Sequence, residues 1–197
     1  DQRTGNSTPA TRHRRAGTVS SVQPAPRYRS VLRADLAALC DLTRRAQRHD
    51  GVEQVAVLEE FEEELDDEHV VLVTDTLCAD DPSSGEMLGF AYTIHLPSDV
   101  KEERCYVFGH VDPAHRRRGI GTALMEWGLR RAGERLDTST NDLPKYIRVD
   151  HPEAVVGAAA LFASCGLTVV RFTDELRRPL DLPLTVPPAD GIEIVAW

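Results

Sequence analysis

The chain has 197 residues, 41% of them hydrophobic, and its formal net charge is −9 at pH 7. This length predicts one globular domain, and the acidic balance argues against nucleic acid as the main partner. No apolar run approaches the roughly 20 residues that cross a bilayer, and the first residues lack a signal peptide's apolar core. We therefore expect no membrane partner.

Four cysteines are spread along the chain without a C-x-x-C pair or a metal-ligand spacing to histidine: Cys40, Cys78, Cys105 and Cys165. Such spacing predicts reduced, mostly buried thiols rather than disulfides or a metal site. We therefore expect a cytoplasmic protein with no bound metal.

Residues 1–26 are rich in Ser, Thr, Pro and Arg and contain almost no large apolar side chain. Because such a segment cannot offset its own ordering entropy, we expect a disordered basic tail outside the domain. The alternative is an arm that contacts nucleic acid or a membrane through Arg12, Arg14 and Arg15.

A first strand is predicted at residues 28–32, and two helices follow it. Asp35 is a suitable N-cap for the first helix, which runs to about His49 and stops at Gly51. The second helix is predicted at about 53–65, with an inward face formed by Val55, Leu58, Phe61 and Leu65.

Two β-rich runs, 70–78 and 87–96, come next, and the turn-forming residues 81–85 join them as a hairpin. The later predicted elements are a strand at 104–111, a long helix at 118–136, a short strand at 145–150, a last helix at about 152–165, and closing strands at 168–172 and 175–180. Gly166 is predicted to end the last helix as its C-cap.

The segment between the 104–111 strand and the long helix has the composition of an anion site. Pro113 ends the strand, because proline cannot donate to a ladder. Three arginines and two glycines follow: Arg116, Arg117, Arg118, Gly119 and Gly121. The first N–H groups of a helix have no internal partner, the glycines remove Cβ atoms that would keep a phosphate away, and arginine pairs with phosphate bidentately. The segment is therefore predicted to bind a phosphate group.

Two better-known glycine motifs are excluded. Leu124 stands where a dinucleotide fingerprint has its third glycine, and no G-x-x-x-x-G-K-[ST] P-loop is present. The remaining pattern, Arg116-x-x-Gly119-x-Gly121 after a strand that ends Val111-x-Pro113, resembles the pyrophosphate-binding signature of the GNAT superfamily of acetyl-CoA-dependent N-acetyltransferases. The alternative interpretation is a solvated turn before a helix.

The resemblance implies an α/β (α+β) fold over residues 27–180, with a mixed, mostly antiparallel sheet flanked by helices in the order β-α-α-β-β-β-α-β-α-β. Gly166-Leu167 resembles the Gly-Phe pair that closes the family's last helix. Residues 181–197 are proline-rich and end in an apolar run, which we interpret as a linker and the first strand of a second domain, as in tandem-domain actinobacterial members. The alternative is a terminal strand of the same domain.

In relatives, the strand before the phosphate segment splays from its parallel neighbour and holds the acetyl and pantetheine groups on freed N–H groups. By position, the resemblance implies this cofactor site: Gly109, His110, Val111, Arg116, Arg117, Arg118, Gly119, Ile120, Gly121, Thr122 and Phe162. The Thr122 hydroxyl would be an additional phosphate donor. Gly109 would either admit the thioester closely or mark a bulge.

The residues that would carry the proton transfers are less evident. Relatives usually have a tyrosine acid where this chain has Phe162 and an asparagine where it has Val155, and their strand-borne base falls at Cys105 or Val107. Other candidates near the implied cleft are Glu103, His110, Asp150 and His151, although His110 has the opposite strand parity and is expected to face away. A water relay is the alternative.

We therefore expect an N-acetyltransferase that moves an acetyl group from acetyl-CoA to a primary amine of a small molecule or peptide. The alternative is a non-catalytic acetyl-CoA-binding or structural half of a tandem protein, with a second GNAT domain or a homodimer as its assembly. The carboxylates at residues 59–68 are predicted to be a solvated face. The resemblance allows another interpretation, in which they border the acceptor cleft and attract a cationic amine.

Overall fold

One five-stranded sheet organises the fold, with its strands side by side in chain order. They are β1 (Arg27–Arg29), β2 (Thr76–Asp80), β3 (Met87–Leu96), β4 (Glu103–Val111) and β5 (Lys145–Arg148). The first four strands pair antiparallel, whereas β4 and β5 run parallel. This computed structural model describes residues 24–98, 100–174, 176, 179 and 181. The predicted tail at 1–26 and linker at 181–197 therefore lie almost entirely outside the described residues.

Helices cover both faces of the sheet. Within the described residues they are α1 (Leu36–Asp50), α2 (Leu58–Leu65), α3 (Leu72–Asp75), α4 (Ile120–Asp137) and α5 (Val156–Ser164). Short 3-10 turns at Arg33–Asp35 and Pro113–His115 precede α1 and α4. None of the described helices is both long and apolar enough to cross a membrane.

The sheet separates two apolar cores. On one face, Leu39 of α1 and Phe61 of α2 are buried against Phe90 of β3. On the other face, Leu124 of α4 is buried against Ala91. Successive residues of β3 thus point into opposite cores, as the pleat of a strand requires. Each large side chain that is fully buried in this way contributes roughly 1.5–3 kcal/mol to folding.

The predicted fold is confirmed, and several strands, turns and helix ends lie where the sequence predicts them. Strand β3 occupies the predicted residues 87–96. The predicted hairpin closes with a hydrogen bond from the Asp81 N–H to the Glu86 carbonyl oxygen, 2.8 Å long, and Gly85 takes the left-handed conformation there, with a φ of 75°. Gly51 ends α1 in the same conformation, with a φ of 69°.

The predicted strand at 70–78 is wrong over residues 70–75, where α3 forms at Leu72–Asp75 and the strand begins only at Thr76. The carboxylate of Asp75, at the end of α3, is completely buried and accepts hydrogen bonds from the N–H of Val71 and from Arg131 of α4. Arg135 of α4 lies 3.4 Å from Oδ2, the oxygen that also accepts from Val71. These contacts with distant residues bend the chain before β2 begins.

Three smaller expectations are also wrong, in whole or in part. Asp35 occupies the predicted N-cap position of α1, but its side chain makes no capping bond, because its carboxylate binds Arg29 and the N–H of Leu32. The second helix begins only at Leu58, which leaves Val55 65% exposed rather than inward. Residues 168–172 are exposed and form no strand, and most of the strand predicted at 175–180 lies outside the described residues.

Candidate active site

The edge between β4 and β5 opens partway along its length. The two strands pair from Glu103 and Lys145 as far as Tyr106 and Arg148. Strand β4 then continues, paired with β3, to Val111. After Tyr106, β4 therefore has a strand neighbour on one side only. An opening lies between the carboxyl ends of β4 and β5, as the resemblance implies.

Two hydrogen bonds establish which N–H groups face this opening. The Glu103 N–H donates to the Pro144 carbonyl oxygen on the β5 side, at 2.9 Å, and the Asp112 N–H donates to the Leu88 carbonyl oxygen of β3, also at 2.9 Å. Because alternate residues of a strand point their N–H groups the same way, those of Gly109 and Val111 face the opening.

The N–H of His110 faces the other way. His110 is paired with Phe90, and by the same alternation its N–H points toward β3. Of the three residues expected to hold the acetyl and pantetheine groups, the structure thus directs the N–H groups of two, Gly109 and Val111, toward the opening.

Gly109 is required by the packing of the two strands. A Cβ atom added there would lie 2.3 Å from the Phe90 carbonyl oxygen and 2.9 Å from the Cα of Ala91. The β3–β4 register runs without a shift past this residue, so the alternative of a bulge is wrong. A side chain at this position would have to push the strands apart.

The turn before α4 has the geometry of an anion site. Arg117 and Gly119 both have left-handed backbones, with φ values of 62° and 81°. The Ala123 N–H bonds the Gly119 carbonyl oxygen at 3.0 Å in the first turn of α4. The N–H groups of Ile120, Gly121 and Thr122 precede this bond and have no acceptor within the helix. They lie at the positive end of the α4 dipole, where an anion is stabilised.

The side chains of this turn differ in their exposure to solvent, and therefore in whether they can contact a bound anion. Arg117, Arg118 and Thr122 are exposed beside the helix N-terminus, and Arg118 also approaches the Ala114 carbonyl oxygen at 3.4 Å. Ile120 is 2% exposed, because its side chain belongs to the α4 core. Ile120 can therefore contribute only its backbone to a phosphate.

Arg116 does not face the turn as expected from the sequence. Its guanidinium forms two hydrogen bonds to the Asp50 carboxylate, at 2.6 and 2.8 Å, and its Nε donates to the Val111 carbonyl oxygen at 3.2 Å. These bonds connect the end of α1 to the end of β4, so in this structure Arg116 positions the turn. Its expected role as a phosphate-binding charge stays a prediction.

The two glycines of the motif serve different purposes. A Cβ on Gly119 would meet nothing within 4 Å, so this glycine is required by its left-handed backbone rather than by space. A Cβ on Gly121 would lie 3.4 Å from Leu161 and 3.6 Å from Val111, which is ordinary contact. Gly121 thus faces the gap between β4 and α5, next to the opening.

A cavity of about 430 Å³ lies on the α1–α2 face of the sheet. It is lined by Glu64, Asp67, Ile94, Leu96, Tyr106, Phe108 and Asp150. The rings of Tyr106 and Phe108 stack with centroids 5.8 Å apart, and Phe108 stacks on Tyr92 at 5.3 Å. The cavity therefore combines aromatic rings with three carboxylates.

Asp150 is the one expected proton-transfer residue that lines this cavity. Glu103, the first residue of β4, does not line the cavity and is 2% exposed, with its Oε1 3.9 Å from Nε2 of His95. His110 packs against Phe90, with ring centroids 6.0 Å apart, and burial lowers its pKa to about 4, helped by the nearby Arg116 charge.

His151 lies outside the cavity lining and packs on Phe162, with ring centroids 5.3 Å apart. Phe162 itself joins the cluster that contains Cys105 and Val107. These two β4 positions, to which the resemblance assigns a base, are buried against α4. The cavity instead opens over the alternate residues Tyr106 and Phe108, which share their strand parity with His110.

The carboxylates at 59–68 do not all form the predicted solvated face, because Glu64 is partly buried and lines the cavity together with Asp67. Sequence reasoning missed this role of Glu64. Its phenolic neighbour Tyr92 donates a hydrogen bond to Oε2 at 2.7 Å. A signal was present, because Glu64 lies three residues after Phe61 and directly before Leu65, both buried. Residues at that spacing share one side of a helix, so Glu64 borders the inward face.

Comparison with known proteins identifies the family. The sequence profile of the Acetyltransferase (GNAT) family matches residues 36–166. The chain is 31% identical over 174 residues to a mycothiol acetyltransferase of Mycobacterium sp. (strain JLS), covering 86% of this chain and 50% of that protein. It is 34% identical over 173 residues to a mycothiol acetyltransferase of Catenulispora acidiphila, covering 83% and 51%. The chain thus spans about half the length of these curated relatives.

Solved structures show the same fold. A GCN5-related N-acetyltransferase from Sphaerobacter thermophilus superposes with a TM-score of 0.58 at 24% identity, covering 71% of this chain and 42% of that one. A predicted acetyltransferase from Clostridium acetobutylicum, solved with acetyl-CoA, gives a TM-score of 0.59 at 15% identity, covering 77% and 96%. The predicted fold and the predicted family are confirmed. The chain belongs to the acetyltransferase (GNAT) family.

Proposed function

We propose that this chain is an acetyltransferase unit that moves the acetyl group of acetyl-CoA to a primary amine of a small molecule or peptide. One observation carries the proposal: the opening beside β4 leads directly into the anion-binding turn before α4. Acetyl-CoA has a thioester at one end and a pyrophosphate toward the other, so its two binding regions must adjoin as the opening and the turn do.

The backbone supplies most of the cofactor contacts in this proposal. The N–H groups of Ile120, Gly121 and Thr122 bind the pyrophosphate, and the exposed Arg117 and Arg118 add positive charge beside it. The Thr122 hydroxyl is a further donor.

The edge of β4 holds the reactive end of the cofactor. The N–H groups of Gly109 and Val111 hold the pantetheine arm and the acetyl group in the opening. An N–H aimed at the thioester oxygen stabilises the negative charge that develops there when the carbonyl carbon is attacked.

Two further observations support a location and a partner for this chain. The cysteines at 40, 78, 105 and 165 are free thiols, which supports the reducing cytoplasm as its location. The match to about half of the curated relatives supports a second GNAT domain as the partner, with a homodimer as the alternative assembly.

A second candidate function is cofactor binding without catalysis. Phe162 supports it, because its ring has no hydroxyl to protonate a leaving thiolate and instead packs on His151. In that case the chain would be the ligand-binding half of a larger protein.

Titration calorimetry with CoA at low salt tests both candidates, and each requires binding in the micromolar range. Absence of heat and of a thermal shift at millimolar CoA would contradict both. Mass spectrometry of a panel of primary amines incubated with acetyl-CoA then separates them. An acetylated product supports the enzyme, whereas CoA binding without any product supports the second candidate. The same assays without residues 1–26 show whether that segment contributes.

A further inference from the structure

The cavity on the α1–α2 face reaches the opening where the proposed function places the thioester. Phe108 belongs to the part of β4 that β5 no longer accompanies, and Asp150 follows the end of β5. Both residues line the cavity. One end of the cavity is therefore bounded by the two strands that flank the opening, and an acceptor held there can meet the acetyl group.

Glu64 reaches the same cavity from α2. The Tyr92 hydroxyl donates a hydrogen bond to its Oε2 at 2.7 Å, which fixes the carboxylate in place. Tyr92 is itself 5% exposed and stacked between Phe90 and Phe108. Because Tyr92 is held in place by its neighbours, the Glu64 carboxylate has a defined position relative to the Tyr106 and Phe108 rings that line the cavity.

The groups around Glu64 suit a proton acceptor. Burial raises its pKa above the ordinary value, the hydrogen bond from Tyr92 opposes this, and the charge of Glu60 on α2 adds to it. The other polar groups lining the cavity are the Tyr106 hydroxyl of β4 and the carboxylates of Asp67 and Asp150. The described lining contains no cationic side chain, and the nearby Arg104, which interacts with the Tyr106 side chain, is itself paired with Glu102.

We propose that this cavity binds an acceptor that carries an ammonium group beside an aromatic or apolar body, and that Glu64 is the catalytic base that removes the ammonium proton. The proposal rests on the proposed acetyltransferase function. The apolar body packs on the rings of Tyr106 and Phe108, where a cation over a ring face is also stabilised. The carboxylates neutralise the ammonium charge until the proton is transferred.

The proposed step balances in atoms and charge. Glu64 takes one proton from the ammonium, and the nitrogen lone pair then forms a bond to the thioester carbonyl carbon. The C–S bond breaks, its electron pair leaves with sulfur, and a second nitrogen proton passes to that sulfur. The products are the acetylated amide, CoA as the free thiol, and a protonated Glu64 that returns its proton to solvent.

Thiol release from acetyl-CoA, with tyramine and cadaverine as probe amines, tests the proposal between pH 5 and pH 9. Glu64→Gln should lower kcat/KM for the amine by roughly 100-fold, because a positioned general base contributes about that much or more. It should also remove the acidic limb that Glu64 gives the wild-type profile, while the dissociation constant of CoA stays within about twofold. Glu63→Gln, an exposed neighbour on the same helix, is the matched control and should behave as wild type.

Each other outcome has a distinct meaning. If Glu64→Gln keeps the rate and the acidic limb, or if Glu63→Gln loses as much activity, Glu64 is not the base. If the wild type binds CoA but acetylates neither amine, the cavity does not select this class of acceptor, although cofactor binding stands. If the wild type fails to bind CoA, the proposed function fails instead.

Discussion

Asp50, the last residue of α1, forms a bidentate ion pair with Arg116, with hydrogen bonds of 2.6 and 2.8 Å. Arg116 also donates a hydrogen bond to the Val111 carbonyl oxygen at the end of β4. A parallel contact lies nearby, where Arg45 of α1 binds the Asp112 carboxylate at 2.7 Å. The start of the anion-binding turn is thus attached to a helix on the opposite face of the sheet from α4.

This ion pair predicts matched effects of two substitutions. Arg116→Ala and Asp50→Ala should each lower the free energy of unfolding by roughly 1–3 kcal/mol, because each leaves a partly buried charge without its partner. Both should weaken CoA binding to a similar extent, measured by calorimetry at several salt concentrations. If Arg116→Ala alone weakens binding and alone reduces its salt dependence, Arg116 contacts the phosphates directly and the positioning role is wrong.

Gly119→Ala tests the left-handed turn. An alanine at a φ of 81° is strained by roughly 1–2 kcal/mol, and relief of that strain would rotate the N–H groups at the start of α4. We expect lower stability and weaker CoA binding, measured by thermal denaturation and calorimetry. Gly133→Ala is the control, since a Cβ there meets nothing within 4 Å inside α4 and should stabilise the helix slightly. Equal behaviour of the two variants would contradict the role of the turn.

Gly109→Ala tests the contact between β3 and β4. The added Cβ would lie 2.3 Å from the Phe90 carbonyl oxygen, so the strands must separate or shift. Such overpacking costs roughly 1–3 kcal/mol of stability, which chemical denaturation measures. Gly157→Ala in α5, where a Cβ meets nothing within 4 Å, should not destabilise the protein. A Gly109→Ala variant as stable as the parent would mean that the strands are less closely packed than described.

Phe162→Tyr should raise turnover without a change in CoA affinity, if the site lacks an acid for the leaving thiolate. A positioned acid contributes about 100-fold or more, although the packing of Phe162 on His151 determines where the new hydroxyl points. Steady-state rates and calorimetry on the same preparation measure the two effects. An unchanged rate would show that this side chain does not face the sulfur or that another group already supplies the proton.

His110 predicts a loss of stability in acid. Burial lowers its pKa from 6.5 to about 4, so the folded state resists a proton that the unfolded chain accepts. The contribution of neutral His110 is complete above pH 6.5 and is lost as the pH falls toward 4, by roughly 3 kcal/mol at most. In His110→Phe, unfolding free energies between pH 7 and pH 4 should fall less steeply than in the wild type. Parallel curves would contradict the prediction.

Local signals predicted much of the fold. The run at 87–96 could be predicted as a strand because turn-forming residues precede it, and Gly51 and Gly85 mark turns through their own conformational freedom. The anion-binding turn was predictable for the same reason, since its donors belong to the backbone of contiguous residues.

Long-range pairing explains what could not be predicted. Arg116 lies 66 residues from Asp50, and Asp75 lies 56 residues from Arg131, so nothing local indicates either partner. The local pattern therefore predicted a strand at residues 70–75 and a phosphate-binding role for Arg116, and it indicated neither ion pair. Glu64 is an intermediate case: its helical position indicated the inward face, but the cavity forms only when β4 and β5 are added.

The buried carboxylate of Asp75 has a consequence for how the chain folds during synthesis. Its two arginine partners belong to α4, so a nascent chain that ends before Arg131 holds this charge without compensation. An unpaired buried charge costs roughly 3–5 kcal/mol, so such a chain should leave residues 72–75 in water. The four-residue α3 is therefore expected to settle only after α4 has left the ribosome, and the first half of the domain cannot mature ahead of the second.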